Sequence, residues 1–374
     1  MARVAILTGF APTLPLFRAP LVGMLRAAGH EVVVAAPAIE PWVRERMQEA
    51  GAEVVELDYA RRGMNPLAER GVRKEFDRFM RDERPTHVLA GTIKAVCHGM
   101  PAAAAAGVAV RVAMITGVGS VFVRGGLRWW IARKAASALY RHALAQATHV
   151  IFHNPDDRDD FARWGLIAPG IPVTVTAGSG VDLVHHAAQP PNPSGGILFA
   201  SRFMTDKGFD EFLQAAELVY RAQPSIPIRI AGFGDGKEGA TFERRVADGA
   251  ERGVWESVGR RHDIRPDLAW CRVFVLPSWR EGTPHSVLEA MAAGRAVVTN
   301  NVPGCRQCVE DGVTGLLVER GNVTALSRAM LSLMQDHART DAMGRAGRAR
   351  AEQVFDARTV AQQTLTTMGL GEVA

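Results

Sequence analysis

No stretch of this chain is apolar enough to be expected to cross a bilayer, which takes about 18 or more uncharged apolar residues in a row. The longest candidate, Pro101 to Val123, is interrupted by Arg111 and several glycines and reads as buried α/β core. Signal-peptide architecture is also missing, since the first residues run straight into a strand pattern; the expectation is a cytoplasmic protein. Cysteine is scarce, and the four present (Cys97, Cys271, Cys305, Cys308) fit a reducing compartment. Cys305-x-x-Cys308 has no second cysteine pair nearby, which weakens a zinc or redox reading.

Carboxylates are missing from one region. Residues 84–155, a window of 72, contain no Asp or Glu, while Lys94, Arg111, Arg124, Arg128, Arg133, Lys134 and Arg141 all fall there. Residues 1–185 hold 22 Lys/Arg against 17 Asp/Glu, so the net charge of +5 belongs to the first half. Such a window is an attractive surface for anions. The pI of about 9.3 comes with no nucleic-acid-binding module or strong charge block, so a nucleic-acid partner is not expected.

Two more absences narrow the chemistry. Neither Thr8-Gly9-Phe10-Ala11-Pro12 nor Ala231-Gly-Phe-Gly-Asp-Gly236 satisfies the dinucleotide fingerprint, which argues against an NAD enzyme. No Asp-x-Asp is placed to hold a metal, and Asp156-Asp157 resembles a helix cap. Neither a cofactor nor a metal site is expected.

What is present is an alternation of strands and helices. Arg3–Thr8, Glu31–Ala35, His87–Ala90, Val110–Ile115 and His149–Phe152 read as short buried strands, with helical stretches such as Pro20–Ala28 and Arg73–Arg81 between them. Alternation at this spacing predicts βαβ units and a parallel sheet. The proline- and glycine-rich segment 189–196 reads as a linker, after which the pattern restarts at Ile197–Ala200, Phe209–Gln223, Ile228–Ala231, Arg272–Leu276 and Ala296–Thr299. The expectation is an α/β protein of two doubly wound domains, 1–188 and 197–374, with a ligand cleft between them. The last helix is a candidate to cross back to the first domain. Such sheets bind ligands beyond the carboxyl ends of their strands.

Three segments of the second half could carry chemistry. In the first, Glu281 precedes a helix that Thr283 would cap and Pro284 would begin, and Glu289 lies inside it. The backbone N–H groups of His285, Ser286 and Val287 would then form a phosphate site, with the two carboxylates reaching hydroxyls on either side. In the second, Arg202 and Lys207 follow a strand and place two cations where a leaving diphosphate gathers charge. In the third, Gly232 and Gly234 would let backbone approach a nucleotide.

Together with Gly178–Asp182, Gly259–Asp263, Val302-Pro-Gly-Cys305 and Asp311–Gly315, these segments resemble glycosyltransferase family 4, of the two-Rossmann GT-B architecture. The resemblance covers nearly the whole chain. It implies that Arg202 and Lys207 hold the donor diphosphate, Glu281 the transferred sugar, Glu289 the ribose, and the Gly259–Asp263 loop, with Arg260, the base. The first half is similar to bacterial transferases that extend a sugar on undecaprenyl diphosphate. Leu16–Leu21, Gly91–Lys94, Ala113–Gly119 with Phe122, and Phe152–Asp157 carry that likeness, which implies an acceptor site of Arg18, Thr92, Lys94, Thr116 and Gly117. Many members carry a sugar-contacting His near the end of the fourth strand. Ile115-Thr116-Gly117 stands there in this chain, leaving Thr116 and His153 as candidates.

As a helix, Leu127–Leu144 puts Trp129, Trp130, Arg133, Lys134 and Arg141 on one side and Leu127, Ile131, Ala135, Ala138 and Leu139 on the other. The expectation is that the small apolar side packs inward while Trp and cations meet an anionic membrane surface. The combined reading is a retaining, metal-independent transferase on the inner face of the cell membrane. It would move a sugar from a UDP-sugar to a polyprenyl-diphosphate-linked acceptor in surface polysaccharide (capsule or O-antigen) assembly. A UDP-sugar 2-epimerase and a soluble family 4 transferase with a non-lipid acceptor are the alternatives.

Overall fold

The computed structural model describes residues 1–60 and 66–371, without the side chains of 66–68 and 120. The chain divides into two compact units. The first comprises Met1–Gly180 and the chain from Ala357 onward; the second comprises Val181–Asp356.

In the first unit seven strands form one parallel sheet: β1 (Arg3–Thr8), β2 (Glu31–Ala36), β3 (Glu53–Glu56), β4 (His87–Gly91), β5 (Val110–Ile115), β6 (His149–Phe152) and β7 (Val173–Val175). Their order is β3-β2-β1-β4-β5-β6-β7. Val4 and Ile6 face one side of the sheet with Leu14, Leu25 and Val34, while Ala5 and Leu7 face the other with Phe76, Met100 and Phe152. Apolar residues cover both faces, which is why the strands read as near-continuous hydrophobic runs. The helix Ala357–Thr367 lays Ala361 and Leu365 into the first of those cores, beside Leu21 and Val22 of the helix Ala19–Ala27.

The second unit repeats the plan with β8 (Ile197–Ala200), β9 (Ile228–Ala231), β10 (Glu256–Gly259), β11 (Val273–Leu276), β12 (Ala296–Asn300) and β13 (Gly315–Val318), ordered β10-β9-β8-β11-β12-β13. The strand order reverses direction between β1 and β4 in one unit and between β8 and β11 in the other. At such switch points the loops leaving adjacent strands diverge and open a crevice at the strands' carboxyl ends.

The boundary falls earlier than the expected linker. Val181 N–H donates to the Phe355 carbonyl at 2.7 Å, and Arg348 Nη1 donates to the carbonyls of His186 (2.9 Å) and Ala292 (2.8 Å). Gln189 N–H reaches the Ala293 carbonyl, and the Asn192 side chain reaches that of Trp270. Residues 181–196 are therefore laced to the second unit along their length.

Four strands escaped the sequence reading: β3, β7, β10 and β13. They are the four sheet edges. Paired on one side only, an edge strand needs fewer apolar residues and tolerates charge; Glu-Val-Val-Glu in β3 and Glu-Ser-Val-Gly in β10 have that composition.

Candidate functional site

The switch point of the second unit gathers the expected donor residues. After β8 the chain makes a single 3-10 turn, Thr205–Lys207, and then Gly208 at φ 66. A Cβ on Gly208 would collide with the Pro277 carbonyl, so this turn lies directly on the loop leaving β11. Trp279 ties the two loops further, its N–H donating to the Asp206 carbonyl (3.0 Å) and its indole to Glu211 (2.8 Å). As a result Lys207 Nζ sits 2.5 Å from Glu281 Oε1, which also accepts from Ser278 Oγ at 2.7 Å. Glu281 N–H donates to the Pro303 carbonyl (3.0 Å), and Gly304 has no side chain because a Cβ there would collide with Glu281 backbone. Arg202 is half-buried at the end of β8 and makes no hydrogen bond or ion pair with the described residues.

The following helix runs His285–Ala292 with Pro284 as its N-cap residue, one residue later than expected. Thr283 does not cap it with its hydroxyl, which donates instead to the Gly282 carbonyl. Val287 N–H donates to the Pro284 carbonyl at 3.0 Å and is thereby withdrawn from the expected phosphate site. The reason is geometric: Pro284 is extended, at ψ 106, so the first turn closes on its carbonyl.

Glu289 is held by two imidazoles at the same oxygen. His285 Nδ1 lies 3.1 Å and His186 Nε2 3.5 Å from Oε1. Burial alone would raise the Glu289 pKa, but the charges and hydrogen bond of His285, with His186 and His185, hold it below the usual carboxylate value. Burial lowers the His186 pKa despite Glu289, and the Nδ1 of His186 is buried without a hydrogen-bond partner. His186 was missed in the sequence reading because no spacing rule links it to a carboxylate a hundred residues away.

The glycines after β9 pack closely against neighbouring backbone. A Cβ on Gly232, at φ 152, would collide with the Ser201 carbonyl, and one on Gly234 with the Gly239 backbone. Arg260 is exposed and stacks over the Phe233 ring at 4.9 Å. The buried side chain of Asn300 is a second omission. Its amide donates to the Pro277 (2.7 Å) and Ser278 (3.1 Å) carbonyls and so shapes the loop that carries Glu281.

In the first unit Arg18 and Thr116 both lie close to Gly91 at the end of β4, with Thr92 and Gly117 next to Gly91 and Thr116 in the chain. Arg18 Nη2 is 2.8 Å from Met114 Sδ and Nη1 3.2 Å from Ser179 Oγ. Thr92 has φ 75, unusual for a β-branched residue, and its hydroxyl accepts from Gly9 N–H at 2.8 Å. Thr116 follows the fifth strand, because β3 adds one to the count read from sequence. His153 is buried, and burial together with the Arg18 charge pushes its pKa down to about 3, so its ring is neutral. Lys94 is engaged elsewhere, in an ion pair with Glu69 (2.9 Å) and a hydrogen bond to the Ala60 carbonyl.

The helix Leu127–Leu144 forms as expected, but its orientation corrects the reading. It buries Ala136, Tyr140, Ala143 and Leu144. Leu127 is 74% exposed and Ile131 57%, with Ala135, Ala138 and Leu139 also exposed. Tyr140 supplies the inward anchor by packing on Phe122 and Phe161, and that turns the small apolar side outward. Trp130, Lys134 and Arg141 are exposed on the adjoining flank, while Trp129 and Arg133 are half-buried. A cavity of about 430 Å³ lies along this flank, lined by Phe122, Trp130, Arg133, Lys134, Ser137, Arg141 and Trp164. No helix among the described residues is long and apolar enough to cross a membrane.

Among the described residues no cluster of three or more His, Cys, Asp or Glu could hold a metal. Cys305 and Cys308 are buried free thiols, and burial pushes the Cys305 thiol up to about 12.

Two parallel, doubly wound units, each with its candidate side chains at a switch point, constitute the GT-B class of architecture. Residues 19–200 match the family described as glycosyl transferase 4-like domain, and residues 194–336 match glycosyl transferases group 1. The chain belongs to the group 1 glycosyltransferases with a glycosyltransferase 4-like first domain. Among curated relatives it is 24% identical to the N,N'-diacetylbacillosaminyl-diphospho-undecaprenol alpha-1,3-N-acetylgalactosaminyltransferase of Campylobacter jejuni, over 89% of this chain and 90% of that one. It is 29% identical to the D-inositol 3-phosphate glycosyltransferase of Paenarthrobacter aurescens over 60% of this chain and 56% of that one. In fold it is similar to Anabaena HepE, solved with UDP and glucose, at a TM-score of 0.77 and 18% identity, covering 99% of this chain and 100% of that one.

Proposed function

We propose that the protein transfers a sugar, an N-acetylhexosamine or a hexose, from a UDP-sugar to a hydroxyl of a polyprenyl-diphosphate-linked acceptor, with retention at the anomeric carbon. The observation that carries this reading is the Lys207–Glu281 contact across the switch point of the group 1 domain, with Arg202 half-buried just after β8 and unpaired among the described residues. In the transfer the bond from the anomeric carbon to the β-phosphate oxygen breaks, and its electron pair leaves with UDP. The acceptor oxygen bonds to that carbon from the same face, and its proton passes to the departing phosphate. Arg202 and Lys207 stabilise the charge that grows on the phosphate, while Glu281 accepts from sugar hydroxyls and Glu289 from ribose.

The lipid-linked acceptor is supported by the Campylobacter relative, whose name gives its substrate as a sugar on diphospho-undecaprenol and which aligns along nearly the whole chain. The exposed face of Leu127–Leu144 supports docking on the inner face of the cell membrane: Leu127, Trp130 and Ile131 would enter the headgroup layer while Lys134 and Arg141 meet anionic lipid. On this reading the protein acts in the assembly of a surface polysaccharide or glycan. The test is incubation of donor and lipid-diphosphate-linked acceptor with the protein, following product by mass spectrometry. Formation of the glycosylated lipid with UDP release bears the reading out. Turnover of donor without acceptor identifies a UDP-sugar 2-epimerase instead, and transfer to water-soluble acceptors alone removes the lipid.

A further inference from the structure

The guanidinium of Arg18 is a partly buried cation without a counter-ion. It lies between the helices Thr13–Phe17 and Ala19–Ala27, and its contacts are a thioether at 2.8 Å and a hydroxyl at 3.2 Å. Neither carries charge, and a thioether is a weak acceptor. No carboxylate among the described residues pairs with Arg18. Removing a charge from water without a partner costs several kcal/mol, roughly, and folded proteins avoid it. Arginine does not escape by shedding its proton, since burial brings its pKa down only to about 10.

The neighbouring strands add no carboxylate. The neighbouring His153 ring is neutral. The strands β4, β5 and β6, with the loops that leave them, fall in the carboxylate-free stretch 84–155. A methyl-sized group also fits beside the guanidinium without a clash. Gly91 ends β4, and a Cβ there would lie 4.0 Å from Arg18 Nη2 and 3.9 Å from Thr116 Cγ2. The space lies at the carboxyl end of β4, and it is at the switch between β1 and β4 that a doubly wound sheet receives its ligand.

We propose that Arg18 binds a negatively charged group of the acceptor, through a pair of oxygens seated over Gly91 between the Thr116 and Ser179 side chains. This rests on the acceptor role given to the first unit above and names the chemistry the acceptor must carry. Two parallel N–H···O bonds from one guanidinium fit a carboxylate or a phosphate equally well. The group is therefore either an acidic substituent on the acceptor sugar or the diphosphate that links it to lipid.

Calorimetric titration of the full chain, saturated with UDP so that the donor phosphate site is filled, tests this directly. The probes are methyl glucuronide, inorganic pyrophosphate and, as the neutral counterpart, methyl glucoside. One anion is expected to bind the wild type, at one per chain, and to lose at least tenfold in affinity in Arg18→Gln; Arg18→Lys, which keeps charge but not the fork, falls between. Preference for the glucuronide identifies an acidic sugar, and preference for pyrophosphate identifies the lipid linkage. Gly91→Ala, which keeps Arg18 and narrows the space, should weaken the same anion and serves where Arg18→Gln does not fold. Binding of neither anion by the UDP-saturated wild type, or equal binding by both variants, overturns the proposal. UDP affinity measured in the same proteins reports separately on the donor reading: retained UDP binding with no anion site removes Arg18 alone.

Discussion

Lys207 Nζ and Glu281 Oε1 meet at 2.5 Å although 74 residues separate them, joining the loop after β8 to the loop after β11. The lysine is 22% exposed and the glutamate 13%, so the pair is shielded from water but reachable. A bound donor would divide it, phosphate taking the lysine and sugar hydroxyls the carboxylate. Glu281→Gln keeps the shape and the Ser278 hydrogen bond but removes the charge that orients Lys207. The expected result is a folded protein whose kcat/KM falls by roughly ten- to a hundredfold, checked by initial rates over a range of donor concentrations.

Glu289 and His186 give the second unit an acid sensitivity of defined sign. Both have folded pKa values below their ordinary ones, so the unfolded chain binds more protons as pH falls. Stability from His186 is complete above its ordinary pKa of 6.5 and is lost as pH falls toward its folded value; that from Glu289 is lost further down, below 4.5. His285 and His185 also face Glu289 and hold it down; at His186, burial with the charges of His285, His185 and Arg265 outweighs the opposing pull of Glu289. The thermal midpoint should fall on acidification, with His186→Asn showing a shallower decline just below pH 6.5 than the wild type. The limiting slope is about 1.4 kcal/mol per pH unit for one group.

Gly304 tests the loop that backs Glu281. Its φ is 84, and a Cβ would collide with the Glu281 backbone, so Gly304→Ala must displace one loop or the other. A stability loss of about 2–4 kcal/mol is expected by chemical denaturation, with loss of donor binding.

The outward face of Leu127–Leu144 should bind anionic vesicles. Replacing Leu127 and Ile131 by Gln removes exposed apolar surface without touching the buried Tyr140. The fraction co-sedimenting with phosphatidylglycerol vesicles should fall severalfold while the thermal midpoint holds.

Much of this was legible in the chain. Buried parallel strands announce themselves as apolar runs, so the central strands of both sheets were located to within a residue. The edges β3 and β10 were not, since half-exposed strands such as Glu53–Glu56 carry no such run; β13, Gly-Leu-Leu-Val, carries one and was still passed over. Lys207 and Glu281 were named from their places after strands, and the structure joins them. Lys94 was named from the family resemblance, and it is tied to Glu69, a pairing that local sequence does not reveal. The helix Leu127–Leu144 was found in extent but inverted in orientation, because Tyr140 with its aromatic neighbours outweighs small alanines in choosing the buried side.

The most direct measurement of the central claim is the single-turnover transfer rate of Lys207→Ala against the wild type, at saturating UDP-sugar and acceptor. If Lys207 stabilises the departing diphosphate, the rate falls by at least about a hundredfold while UDP still binds and the protein stays folded. A folded Lys207→Ala protein that transfers sugar within a few-fold of the wild-type rate contradicts the account.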